Sequence, residues 1–135
     1  MKVSLTEIFC FSSAHRLYNN NWDFKKNSDV FGKCNLPNFH GHNYNLEVKV
    51  TGNLKNESGS IIDCEFLKRI VNKEIIELFD YKNLNIDIPY FSKFIPTVEN
   101  ISIFIWNILR KKIDNNYLLE LKLYETERNF VIFKG

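Results

Sequence analysis

The chain has 135 residues, of which 44% are hydrophobic and 15% aromatic, and this size and apolar content suit one domain with its own core. Its net charge is only +2 and it has no run of five like charges, which argues against a nucleic-acid-binding arm but permits an anionic small substrate. No apolar run approaches the roughly 18 residues that a membrane span needs. We therefore expect a single domain over residues 1–135, without nucleic-acid or membrane partners.

The cysteines and the N-terminus indicate the cellular compartment. Cys10, Cys34 and Cys64 are an odd number and lack CxxC spacing, which argues against a disulfide framework and for a reducing environment. The first residues lack the apolar region and the small-residue cleavage site of a signal peptide. These features predict a cytoplasmic protein.

The first half of the chain predicts two strands joined by a long loop. Residues 2–15 alternate as a strand, and residues 40–52 alternate with polar residues on one face and apolar residues and histidines on the other. Residues 16–39 are irregular and rich in Asn, Asp and Lys, with a short helix expected near residues 23–30. Because this loop also contains aromatic residues, we expect it to be ordered and functional.

The second half predicts two helices followed by two strands. Asp63 caps a helix that continues to about residue 79, and Thr97 caps a second helix over about residues 98–113. Strands follow at 119–125 and 130–133. The order ββααββ predicts an α+β fold with a four-stranded antiparallel sheet and both helices on one face. The edges of so small a sheet need covering, so we expect a homo-oligomer.

All three histidines belong to one pattern, H-x24-H-x-H, formed by His15, His40 and His42. The H-x-H pair puts two rings on the same strand face, since side chains of a strand alternate. Three imidazoles without a fourth protein ligand are typical of a catalytic zinc site, which keeps one position open. The alternatives are ordinary polar histidines and a zinc site that only stabilises the fold.

Two further residues have the chemistry of an active site. Cys34 lies in a polar loop beside Lys33, where a nearby metal would lower the pKa of its thiol and make it a base or nucleophile. A small packing residue is the equal alternative. Glu125 ends the apolar face of its strand, either as a solvated strand end or as an acceptor for a planar pair of N–H groups.

Motifs along the whole chain are similar to those of the 6-pyruvoyl-tetrahydropterin synthase family, which includes the bacterial 6-carboxy-tetrahydropterin synthases of queuosine biosynthesis. The shared segments are Phe11-Ser12-Ser13-Ala14-His15-Arg16-Leu17, Phe31-Gly32-Lys33-Cys34-Asn35, Pro37-Asn38-x-His40-Gly41-His42-Asn43-Tyr44, Lys82-Asn83-Leu84-Asn85, Pro96-Thr97-x-Glu99-Asn100 and Tyr124-Glu125-Thr126. A chance match of all six in this order is implausible.

The resemblance implies the tunnelling (T-fold) architecture, in which subunits join their sheets into a barrel, form trimers and hexamers, and share active sites. It implies Zn²⁺ on the three histidines and 7,8-dihydroneopterin triphosphate as the substrate. By position, Cys34 is the general base, Glu125 anchors the pterin ring and Thr97 lines the pocket. Zinc would act there as a Lewis acid.

One position departs from the family pattern. The family has Asp-His, a pair thought to relay a proton, where this chain has Asp80-Tyr81. A phenol ordinarily titrates near pH ~10 and is a poor proton shuttle at neutral pH. We therefore expect reduced or altered acid–base catalysis, and a catalytically impaired pterin-binding homologue is an alternative interpretation.

The sequence favours the 6-carboxy product, because the compact N-terminus and the loop pattern over residues 22–33 look bacterial. In that reaction the substrate side chain fragments and releases acetaldehyde and triphosphate. The alternative is the 6-pyruvoyl product, in which triphosphate is eliminated and the side chain stays whole.

Overall fold

A computed structural model describes residues 1–135 as a five-stranded mixed sheet covered by helices on one face. The strands are β1 (Lys2–His15), β2 (His40–Asn53), β3 (Lys82–Asn83), β4 (Leu118–Thr126) and β5 (Asn129–Phe133). Their order across the sheet is β3-β1-β2-β4-β5. The β1–β2, β2–β4 and β4–β5 pairs are antiparallel, whereas β3 is parallel to β1.

The prediction of a four-stranded antiparallel sheet is therefore wrong, because the sheet has a fifth strand that is parallel to its neighbour. The four long strands lie where the alternating patterns predict them. The fifth, β3, has only two residues, and its pairing with Ser13 and Ala14 of β1 makes the sheet mixed. Two residues are too few to show a period of two, so no sequence pattern could reveal this strand.

Five α-helical segments accompany the sheet. They are α1 (Phe24–Phe31), α2 (Cys64–Val71), α3 (Glu77–Phe79), α4 (Leu84–Asp87) and α5 (Val98–Arg110). A π-helical turn over Asn72–Ile76 joins α2 to α3, so the first predicted helix does run to residue 79. The second ends at Arg110 rather than near residue 113. None of these helices is long and apolar enough to cross a membrane.

Side-chain caps begin the two long helices as the sequence predicts. The Asp63 carboxylate accepts a hydrogen bond from the backbone N–H of Glu65 at 2.9 Å. The Thr97 hydroxyl accepts one from the N–H of Asn100 at 3.2 Å. Each cap satisfies a backbone donor that the first helical turn leaves unpaired.

The core lies between one face of the sheet and the helices. It contains 23 buried hydrophobic residues, and β2 contributes an unbroken row of four, Tyr44, Leu46, Val48 and Val50. The opposite face of β2 is polar. Because the buried row continues to the start of β2, the histidines at that end of the strand face the same side as the core.

Candidate metal centre and active site

The register of β1 and β2 brings the three histidines together. His15 pairs with His40, and Ser13 pairs with His42, so the last residues of β1 lie beside the first residues of β2. The ring centroids of the three imidazoles are 4.6–5.1 Å apart. Their potential ligand atoms all lie within 4.8 Å of one another.

The facing nitrogens of these rings have no partner in the protein. The Nε2 atoms of His15, His40 and His42 are all buried and make no hydrogen bond. Leaving a buried polar atom unpaired is costly, and three in one place need a common partner. A metal ion is such a partner, and three imidazoles fit the coordination preferences of zinc. The residues therefore fit the metal that the sequence predicts.

Pro96 orients the His15 ring. The His15 Nδ1 atom lies 2.8 Å from the Pro96 carbonyl oxygen. A carbonyl oxygen only accepts hydrogen bonds, so Nδ1 donates its proton and Nε2 keeps a free lone pair that faces the other two rings. A hydrogen bond at the second ring nitrogen is the usual way in which proteins orient a metal-binding histidine.

Burial keeps the imidazoles neutral, as metal binding requires. It lowers the pKa of His15 from 6.5 to about 4. It also lowers the pKa values of His40 and His42. At neutral pH, the lone pairs of all three rings are available to a metal.

Glu125 lies at the same place, at the end of β4. Its Oε2 atom is 3.8 Å from the Nε2 of His15, and its Oε1 atom is 4.0 Å from the Nε2 of His42. Burial raises the pKa of this half-buried carboxyl group, and the negative charge of Glu99 raises it further. A ligand bound to a metal at the three histidines would therefore also lie close to the Glu125 carboxylate.

Cys34 belongs to the 3-10 turn Gly32–Asn35, which is held in place by the second residue after His15. The backbone N–H of Leu17 donates to the Cys34 carbonyl at 2.9 Å. Burial raises the pKa of the Cys34 thiol, and the negative charge of Glu125 raises it further. The protein groups thus oppose the lowered pKa predicted for this thiol, and only the positive charge of a metal could reverse their effect.

Asp80 and Tyr81 lie at the β3 edge of the sheet, where both residues hydrogen-bond to Ser12 and neither hydrogen-bonds to Cys34. The backbone N–H of Ser12 donates to Asp80 Oδ1 at 2.8 Å, and the N–H of Tyr81 donates to the Ser12 carbonyl at 2.7 Å. The Tyr81 side chain is 89% exposed. It lines a cavity of about 420 Å³ to which Cys34 does not contribute. This cavity also contains His42, so Tyr81 lies beside a metal ligand, but neither the cavity nor a hydrogen bond joins it to Cys34.

Sequence reasoning missed two residues that act at the site. Glu99 has no assigned role in the sequence analysis, yet its negative charge raises the pKa of the Glu125 carboxyl group. Asn85 holds the residue after His15, since its side chain accepts from the N–H of Arg16 at 2.8 Å and donates to the Arg16 carbonyl at 2.9 Å. Both residues belong to motifs that the chain shares with the family, and this is the sequence signal that could have identified them.

Comparisons with known proteins show the family to which the chain belongs. Residues 4–135 match the 6-pyruvoyl tetrahydropterin synthase family. The 6-pyruvoyl tetrahydrobiopterin synthase of Homo sapiens is 40% identical, over 93% of this chain and 86% of that protein. The synthase of the same name from Dictyostelium discoideum is 41% identical, over 98% and 96%.

Two further relatives extend the comparison. The 6-carboxy-5,6,7,8-tetrahydropterin synthase of Rickettsia typhi is 33% identical, over 81% of this chain and 93% of that protein. The solved structure of Caenorhabditis elegans 6-pyruvoyl tetrahydropterin synthase superposes with a TM-score of 0.94 at 31% identity, covering 100% of this chain and 96% of that one.

The fold and the site define an α+β enzyme with a three-histidine centre at one end of its sheet. The chain belongs to the 6-pyruvoyl tetrahydropterin synthase family, whose members are tetrahydropterin synthases of the lyase type.

Proposed function

We propose that this protein is a zinc-dependent tetrahydropterin synthase that acts on 7,8-dihydroneopterin triphosphate. The main support is the convergence of three unpartnered Nε2 atoms on one point beside a carboxylate. His15, His40 and His42 would hold the zinc. When bound there, zinc supplies a Lewis acid that makes the protons of the substrate side chain easier to remove.

The residues around the metal ligands would bind the substrate and move its protons. Cys34 accepts a proton from the substrate side chain, for which its thiol must first be deprotonated. Glu125 binds the substrate by accepting hydrogen bonds from N–H groups of the pterin, and Thr97 lines the pocket beside Pro96. Glu99 is a second candidate acceptor, since its charge reaches Glu125.

We infer that Asp80 and Tyr81 act in the site of a neighbouring subunit. The exposed side chain of Tyr81 at the β3 edge suits contact with a second copy of the chain, and the family resemblance implies sites between subunits. The assembly would then be a homo-oligomer, a trimer or hexamer, in which the joined sheets form a barrel. We place it in the cytoplasm, as the cysteine usage suggests.

The similarity to known enzymes favours the 6-pyruvoyl product over the 6-carboxy product. Relatives named 6-pyruvoyl tetrahydrobiopterin synthase reach 40% and 41% identity, compared with 33% for a 6-carboxy synthase. In the favoured reaction, triphosphate leaves and the three-carbon side chain is retained. The 6-carboxy reaction and its role in queuosine biosynthesis are the second candidate, supported by the loop pattern over residues 22–33.

The test is mass spectrometry of the products after the zinc-loaded protein is incubated with 7,8-dihydroneopterin triphosphate. The metal content of the sample is measured in parallel, and we expect one zinc per chain. A 6-pyruvoyl mass with triphosphate supports the favoured reaction, whereas a 6-carboxy mass with acetaldehyde supports the second candidate. Intact substrate in a sample with one zinc per chain contradicts both and favours a pterin-binding homologue that lacks turnover.

A further inference from the structure

A cavity beside the metal centre has the character of an anion-binding site. It has a volume of about 570 Å³ and lies between residues 18–21 and 91–96. Of its 13 lining residues none is Asp or Glu, whereas two, Arg16 and Lys93, are cations and four are asparagines. Its volume lies within the range of small-molecule binding sites.

Three residues of the cavity wall are joined to the metal ligands, two by sequence and one by a hydrogen bond. Arg16 directly follows His15, and Phe39 directly precedes His40. Pro96, whose carbonyl oxygen holds the His15 ring, also belongs to the cavity wall. An elongated ligand with one end at the histidines could therefore place its other end between the two cations.

Neither cation has a carboxylate partner in the protein, and the Arg16 guanidinium lies over the Tyr18 ring, 4.1 Å from its centroid. The Arg16 Nε atom donates to the Asn35 carbonyl at 2.6 Å, and the two Nη atoms have no acceptor in the protein. The six ion pairs of the chain include neither Arg16 nor Lys93. A guanidinium group with free Nη atoms fits the oxygen atoms of a phosphate, and a lysine adds a compact charge.

The cavity walls are held in place without a ligand. The buried side chain of Asn27 accepts from the N–H of Asn19 at 2.7 Å and donates to its carbonyl at 3.0 Å. On the opposite wall, the N–H groups of Lys93 and Phe94 donate to the Tyr90 carbonyl at 3.2 and 3.3 Å. The Phe94 ring also stacks on Tyr90, at 4.5 Å between centroids. Such preorganisation reduces the entropy lost on binding.

We propose that this cavity binds a polyphosphate group through Arg16 and Lys93. The assignment rests on the proposed function, because it makes the cavity the place for the phosphate end of the substrate. The triphosphate group of the substrate and the inorganic triphosphate released from it share this chemistry.

The probe is inorganic triphosphate, titrated into the zinc-loaded wild type and two variants. Lys93→Gln removes one cation from the cavity, and Lys111→Gln removes a cation that is also exposed, at the end of α5, as the control. We expect Lys93→Gln to weaken triphosphate binding about tenfold, the usual effect of losing one charged hydrogen bond, and Lys111→Gln to leave it unchanged. Arg16 is less suitable for substitution because its Nε atom also holds the Asn35 carbonyl.

Two further measurements support the interpretation. One checks that Lys93→Gln is still folded, and the other shows whether the cavity holds the triphosphate of the substrate or the released product. Binding of 7,8-dihydroneopterin, which has no phosphate, should be the same in Lys93→Gln and the wild type. A rise in KM for 7,8-dihydroneopterin triphosphate with little change in kcat assigns the cavity to the bound substrate. Weaker inhibition by inorganic triphosphate at an unchanged KM assigns it to the released product.

Equal effects of the two lysine substitutions, or no saturable binding of triphosphate, would overturn the proposal. Triphosphate also chelates zinc in solution, but this affects both variants equally and produces no difference between them. If pterin product forms while triphosphate binding does not depend on Lys93, the cavity assignment fails and the proposed function stands. If no product forms but binding depends on Lys93, the proposed function fails and the cavity assignment stands.

Discussion

Burial of His15 couples the stability of the metal-free protein to pH. The ring is only 1% exposed, and its pKa falls from 6.5 to about 4 on folding. Between these values the unfolded chain binds a proton at His15 that the folded chain does not, so acidification favours unfolding. We expect the metal-free protein to lose about 3 kcal/mol of unfolding free energy from this residue between pH 7 and pH 4. Urea unfolding at the two pH values measures the loss.

A His15→Gln variant isolates the contribution of this ring. Glu125 acts in the opposite direction, because a raised pKa in the folded state stabilises the protein as the pH falls. The variant keeps Glu125 and every other titrating group, so the difference between the two proteins reports His15 alone. The same acid-induced loss in both proteins would show that His15 does not carry the pH dependence.

Because Tyr81 stands where the family has a histidine, we expect the Tyr81→His substitution to increase activity. Tyr81→His restores a group that titrates near neutrality, and we expect turnover to rise at least about tenfold, the lower range for general acid–base catalysis. The backbone at residue 81 has a φ of 57°, a conformation in which histidine is more frequent than tyrosine, so the variant should fold. Steady-state kinetics of both proteins give the comparison.

Tyr81→Phe is the matched control for this reversion. It removes only the hydroxyl group from an exposed ring, so the fold should be unaffected. If the phenol takes no part in proton transfer, Tyr81→Phe keeps the turnover of the wild type. Unchanged turnover in Tyr81→His would mean that the residue at this position does not limit the reaction.

At the scale of elements, the loop that carries Cys34 depends on helix α1. Asn27 of this helix is fully buried, and its side chain holds the backbone of Asn19 through both an accepted and a donated hydrogen bond. Removing a buried amide leaves the groups that it contacted without partners. The loop should then lose stability and expose the turn that contains Cys34.

We expect Asn27→Ala to lower the free energy of unfolding by about 1–3 kcal/mol and to accelerate alkylation of Cys34. Denaturation curves measure the first effect, and peptide mapping after brief iodoacetamide treatment separates Cys34 from the exposed Cys10. Asn20→Ala, in the same loop but exposed, is the control and should match the wild type. Equal alkylation of Cys34 in both variants would contradict the role of Asn27.

The elements that could be predicted from sequence are those with a repeated pattern. The alternation in β1 and β2 predicted both the strands and the common face of the three histidines. A pattern was lacking for β3, which pairs over two residues, and for the π-helical turn after α2. Asn27 also escaped prediction, since a polar residue in a polar loop gives no sign of burial.

The features of the site likewise divide into those that the sequence predicts and those that it does not. The histidines were predictable because all three share one spacing, and Cys34 and Glu125 because family motifs contain them. The contact between the Pro96 carbonyl and His15 joins residues 81 positions apart, and no local pattern encodes it. The hydrogen bond from the Ser12 N–H to Asp80 joins residues 68 positions apart and likewise depends on how the whole chain folds.

For the whole molecule, the unpaired edges of the sheet favour assembly. β5 pairs on one side only, and β1 pairs with β3 over just Ser13 and Ala14. Large apolar side chains are also exposed on the sheet, among them Ile8, Phe130 and Ile132. Free edges and exposed apolar side chains are typical of surfaces that meet another subunit. An oligomer would bury them and bring Asp80 of one chain towards Cys34 of another.

Mixing two inactive variants tests whether subunits share the site. Cys34→Ala removes the proposed base, and Asp80→Asn removes a charge while its amide oxygen can still accept from the Ser12 N–H. Each variant alone should be nearly inactive. If one chain supplies Cys34 and its neighbour supplies Asp80, random reassembly of an equal mixture restores about one quarter of the wild-type sites. Turnover of the mixture after joint unfolding and refolding measures this recovery. A mixture no more active than the separate variants would show that one chain provides both residues.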